Sequence, residues 1–102
     1  MPTDTRMIPV ELEMIRKQID DVDTMIIRLL AKRAEFVTAA SKLKKSEQGV
    51  RDPKRVEQVI ANVREKALKA GLDAELAEQT YRTMINWFIE KELGLFNDHR
   101  TG

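Results

Sequence analysis

From residue 11 to residue 47 the chain contains neither proline nor glycine. Within that stretch, alternating steps of four and three residues lead from Ile15 through Ile19, Val22, Ile26, Leu29, Arg33, Phe36 and Ala40 to Leu43. All but one of these positions are apolar. This is an a/d seam sustained for about four heptads. At 1.5 Å per residue such a helix is roughly 55 Å long. A compact globule of this size has a radius of gyration of only about 13 Å. The rest of the chain is too short to cover the seam within one compact copy. A homodimer in which the long helices share a core is therefore expected.

The remaining sequence also reads as helix, giving an all-α fold of one long and two shorter helices. Glycine and proline are scarce, and β-branched residues do not alternate with polar ones. Gln48-Gly49 is expected to break the first helix. Asp52-Pro53 supplies a cap and a first-turn proline for the second. Val56, Val59, Ile60, Val63 and Ala67 form its apolar face. Gly71 is placed to end it, and Asp73 to cap a third helix carrying Leu76, Met84, Ile85, Phe88, Ile89, Leu93 and Phe96. The expected organisation is one helical domain over residues 10–96, with flexible tails at 1–9 and 97–102.

Composition removes several function classes. The 102 residues suffice for one small domain. There is no cysteine, so neither disulfides nor thiolate metal sites are available, which fits a reducing cytoplasm. A net charge of +1 is a small basic excess for a nucleic-acid binder. No run is long and apolar enough for a membrane span, and residues 1–9 lack the apolar core of a secretory signal.

Arg33 is the polar intruder in the seam. An unpaired guanidinium there would cost several kcal/mol. It either pairs with Asp23, Glu35 or a carboxylate of the third helix, or it lines a polar cavity that takes an anion. On a continuous helix, Lys44 projects within about 20° of Arg33 and about 16 Å further along the axis, so the two can converge on a small molecule. Arg16 lies roughly 25 Å from Arg33, too far to serve the same pocket. Yet Arg16, Asp23, Leu30, Val37 and Lys44 share a heptad column. An antiparallel pairing about a two-fold axis near Leu30 would bring Arg16 of one copy to Lys44 of the other, making two equivalent pockets. The alternative is that both cations are solvated flank residues.

Arg55 stands in the first turn of the second helix, where free N–H groups and the dipole favour an anion. Glu92 is the opposite oddity, a carboxyl group on an apolar stripe. Burial there favours the neutral acid, which donates a hydrogen bond; a buried salt bridge to Arg33 or Lys44 is the alternative. The one histidine, His99, falls in the expected tail, which makes it a poor catalyst or metal ligand. There is no Gly-rich phosphate loop and no nucleophile–base pair. This set suits a small dicarboxylate whose reaction needs positioning and charge stabilisation rather than covalent chemistry.

Taken in order, LEMIRKQIDDVD, AKRAEFV, AASKLKKSE, VRDPKRV and GLDAE resemble the small all-helical chorismate mutases, including their isochorismate pyruvate lyase branch. The resemblance spans residues 12–96. It implies an intertwined dimer of three-helix chains with two active sites and no need of a cofactor or metal. Arg16 would come from the partner, and Arg33, Lys44 and Arg55 from the same chain. The arginines would clamp the two carboxylates of the substrate. Lys44 and Glu92 would reach the ether oxygen of the enolpyruvyl bridge, where charge grows as the C–O bond breaks. Lys44, Glu92, Arg33 and Arg55 are thus the catalytic set. Arg16, Asp52, Val56 and Phe88 complete the substrate-binding set.

Many mutases carry Gln where Glu92 stands. Val56 occupies a position where bacterial mutases often have Glu and the lyase has an apolar residue. Val56, AASKLKKSE and the INWFI run lean toward the lyase, whereas Asp52 resembles the mutases. The expected activity is the rearrangement of chorismate to prephenate. The alternatives are isochorismate pyruvate lyase, a mutase acting on 4-amino-4-deoxychorismate, and a non-catalytic helical dimerisation module.

Overall fold

A computed structural model describes the backbone of residues 9–101 and the side chains of residues 9–95. The described residues are helical almost throughout, in the order α1 (Val10–Ser41), α2 (Glu47–Arg51), α3 (Pro53–Ala70) and α4 (Ala74–Thr101). The all-α expectation holds, with one added turn of helix. The chain divides after Thr38 into two compact units.

The first unit is α1 up to Thr38. Its length follows from the absence of helix breakers, and Glu11 and Glu13 in its first turn complement the positive end of the dipole. No residue of α1 is buried. Ile15, Ile19, Val22, Ile26, Leu29 and Phe36 all remain exposed.

Two expectations about this region are corrected. The helix ends at Ser41, not near residue 47, and Gln48-Gly49 lies inside α2. Ser46 explains the restart: its Oγ accepts from the Gly49 N–H at 3.0 Å, an N-cap that begins a new helix. Lys44 therefore sits in the 42–46 connection. The projection that aligned it with Arg33, and the column that linked it to Arg16, assumed a helix that does not reach it.

The second unit is built around an antiparallel α3–α4 hairpin, with α2 packed against α4. Asp52 ends α2 and starts α3 with no intervening residue. Its N–H donates to the Gln48 carbonyl at 2.8 Å, and its Oδ1 accepts from the Arg55 N–H at 3.2 Å. The reversal needs φ +27°, a region in which Asp is among the better-tolerated side chains because it bonds locally. Gly71, at φ +78°, ends α3 as expected. Asp73 Oδ1 accepts from the Glu75 N–H at 2.8 Å and begins α4. The apolar centre is thin: Ile60, Val63 and Ala67 of α3, Ala77, Ile85 and Leu93 of α4, and Val50 of α2. The backbone of α4 continues through Thr101, so the flexible tail expected at 97–102 is helical as far as it is described. The N-terminal tail expected at 1–9 lies outside the described residues apart from Pro9, whose carbonyl accepts from the Glu13 N–H.

A charged network flanks the hairpin. Arg82 grips Glu57 through both terminal nitrogens, at 2.8 and 2.9 Å, and reaches Glu78 through Nε at 2.7 Å. Arg64 donates to Glu75 at 2.8 Å and to Glu78 at 2.7 Å. The Arg82 hydrogen bond is the main reason that Glu57 and Glu78 titrate below the ordinary 4.5; Arg64 adds to the effect at Glu78. Because the folded-state values are depressed, this stabilisation is complete above about pH 4.5 and is lost as pH falls through the lowered values. Acid titration of the folded fraction should show a loss of stability below that point. Arg82→Gln should make that acid limb shallower, read by circular dichroism in urea at pH 3 to 6 and at low salt, where screening is least.

Candidate functional site

The short link after α1 brings Lys44 to α4. Its Nζ donates to Glu92 Oε2 at 2.9 Å. Glu92 is the buried charged residue among those described, and Lys44 is half-buried. Two features hold the lysine. Gly49 lies beside its stem, since a Cβ built there would meet Lys44 Cβ at 3.8 Å. The Lys44 N–H also donates to the Ser41 carbonyl at 3.2 Å, tying the residue to the last turn of α1. The salt bridge to Lys44 is among the readings that the sequence left open for Glu92, and it is observed.

Asp52 and Arg55 form a second pair on the first turn of α3. The carboxylate caps the turn, and the Arg55 side chain extends from it into solvent, where Nη1 donates to Gln58 Oε1 at 2.6 Å. Val56 is half-buried. Phe88 is also half-buried, and its ring meets Trp87 edge-on at 5.0 Å. Arg16 and Arg33 belong to the first unit, the former exposed and the latter half-buried on α1. Among the described residues no group of His, Cys, Asp or Glu has the arrangement of a metal site, and no helix is long and apolar enough to cross a membrane.

The second unit thus combines a cation seated on a buried carboxylate with a guanidinium at a capped helix start. That arrangement can hold an anion and stabilise charge growing on an oxygen. It contains no activated nucleophile. Sequence reasoning missed Gln58 as the Arg55 partner and the whole Arg64–Arg82 network. The available signals were the i,i+3 spacing of Arg55 and Gln58 and the i,i+4 spacing of Glu78 and Arg82. The cross-helix contacts left no local trace.

Residues 15–93 match the family described as chorismate mutase type II. A relative from Pseudomonas aeruginosa, an isochorismate pyruvate lyase, is 33% identical over 86 residues, which cover 84% of this chain and 85% of the relative.

The ion pair itself has a measurable consequence. Lys44→Met leaves Glu92 buried without its donor and should destabilise the chain by about 1–3 kcal/mol. Adding Glu92→Leu should recover much of that loss, because an apolar pair replaces an orphaned charge. Urea unfolding of the single and double variants measures both.

Proposed function

Because the chain belongs to the type II chorismate mutase family, we propose that it rearranges chorismate to prephenate by a pericyclic reaction within a homodimer. The observation that carries this reading is the Lys44–Glu92 pair, a hydrogen-bonding cation braced by a buried carboxylate. An ammonium group has three donors. One can stay on Glu92 while another meets the ether oxygen of the substrate. That oxygen gains negative charge as its C–O bond breaks, so the contact strengthens in the transition state. Arg55 and Arg33 bind the two carboxylates and select the folded conformer that can react. Asp52, one turn from Arg55 with its carboxylate exposed, suits the ring hydroxyl of chorismate.

The dimer is part of the proposal. Ile15 is 52% exposed, Leu29 70% and Phe36 66%. A contiguous apolar stripe of this kind marks an interaction surface. A second copy supplies the matching seam, and with it Arg16 for the neighbouring pocket.

A second reading has its own support. Val56 is apolar where a mutase would favour a carboxylate, and the Pseudomonas aeruginosa relative is an isochorismate pyruvate lyase. On that reading the same clamp holds isochorismate and the products are salicylate and pyruvate. Chorismate, isochorismate and 4-amino-4-deoxychorismate offered separately decide between these readings, with prephenate and salicylate followed directly. Prephenate from chorismate as the fastest product supports the mutase, and salicylate as the fastest product overturns it.

Mixing tests the shared pocket. Arg16→Ala and Lys44→Ala should each be nearly inactive alone. After chain exchange activity should return, because one of the two pockets in each heterodimer collects both lesions and the other is intact. No recovery despite exchange would place Arg16 elsewhere.

A further inference from the structure

The two cross-helix rungs of the hairpin are spaced alike on both helices. Seven residues separate Glu57 from Arg64 on α3, and seven separate Glu75 from Arg82 on α4. Glu57 pairs with Arg82 and Arg64 with Glu75, so the polarity alternates from one rung to the next. We infer that these two rungs lock the register of α3 against α4, and that Glu57, Arg64, Glu75 and Arg82 are thereby positioning residues for the site at the open end of the hairpin.

The argument is geometric. Sliding α4 by one heptad brings Glu57 against Glu75 in one direction and Arg64 against Arg82 in the other. A slide of four residues brings Glu57 against Glu78 in the first direction; in the other it sets Glu57 against Asn86 and Arg64 against Gln79 and breaks both rungs. Each of these alternatives confronts like charges or loses both ion pairs, whereas the observed register keeps both pairs. The buried contacts between the helices come from aliphatic side chains, among them Ala67 and Ala77, and such contacts are non-directional. The bidentate grip of Arg82 on Glu57 supplies the missing direction, because a planar fork fixes both height and rotation.

The site inherits that register. Arg55 lies one turn or less from Glu57 on α3, about 3 Å along the axis, and Glu92 lies about 15 Å beyond Arg82 on α4. A slide of a single turn, about 5.4 Å, would separate Glu92 from Lys44 and change its height relative to Arg55. The four rung residues touch no reacting atom in this scheme; they act through where they put Glu92. The inference rests on the proposed reading of the site, while the register itself can be measured without substrate.

The test uses the full chain as Arg82→Glu, Glu57→Arg and the exchanged pair Glu57→Arg with Arg82→Glu. Activity is measured well below each unfolding midpoint, on whichever substrate the unaltered protein turns over. Each single variant should lose about ten- to a hundredfold in kcat with a smaller change in KM, and the exchanged pair should regain most of it. Methyl NOEs between Ile60, Val63 and Ala67 of α3 and Ala77 and Ile85 of α4 report the register without substrate. They should change in Arg82→Glu and return in the exchanged pair. Unchanged NOEs in Arg82→Glu would overturn the lock. Full kcat in a single variant that merely melts earlier would overturn the positioning role, as would an exchanged pair that regains its stability and not its kcat. If the unaltered protein turns over none of the offered substrates, the proposed function fails, and the NOEs still decide the register.

Discussion

Glu92 is buried, and a carboxylate taken out of water must find a donor. Lys44 is that donor, and the architecture of the second unit follows from bringing the two together. Lys44 can reach α4 only because α1 stops at Ser41 and the chain leaves the helix for five residues. Ser46 then restarts a helix for one turn, which places Gly49 beside the lysine stem and buries Val50. Asp52 turns the chain again and opens α3 with Arg55 in its first turn. Each local device is a short polar side chain that satisfies a backbone N–H. Together they set a cation on a buried anion and another cation at a helix start.

The price of this design is a thin interior. The α3–α4 hairpin buries small and medium aliphatic side chains and leaves much of its apolar surface uncovered, including Leu68, Leu72, Leu76 and Trp87. Hydrophobic contact holds the two helices together without specifying how they line up. The charged flank adds that specification, through five side chains partly open to solvent. Isolated surface pairs contribute little to stability. A network with a bidentate arginine is better suited to choosing one alignment over another.

Much of this was legible in the sequence wherever the determinant is local. Asp52-Pro53, Gly71 and Asp73 marked helix boundaries because capping involves residues two or three positions apart. The heptad seam marked α1 as long, and its exposure in the single chain is what the seam implies. The ordered motifs pointed to the family that the comparison then matched over residues 15–93. The end of α1 was misread. The apolar repeat runs on to Leu43 and the cap that starts α2 is a single serine, so periodicity outlasted the helix. Glu92 was singled out as a polar residue on an apolar stripe, yet its partner lies 48 residues away.

The sequence by itself determined the helical class, the long seam, the capped boundaries and the cations and carboxylate proposed for the site, because each is written in residue type and short-range spacing. Only the tertiary structure decided that Lys44 leaves the helix, that it donates to Glu92 on α4, and that Arg82 spans two helices to Glu57. Those outcomes depend on which side chains meet when helices pack, and desolvation acts on the packed arrangement. No periodicity in the chain encodes it.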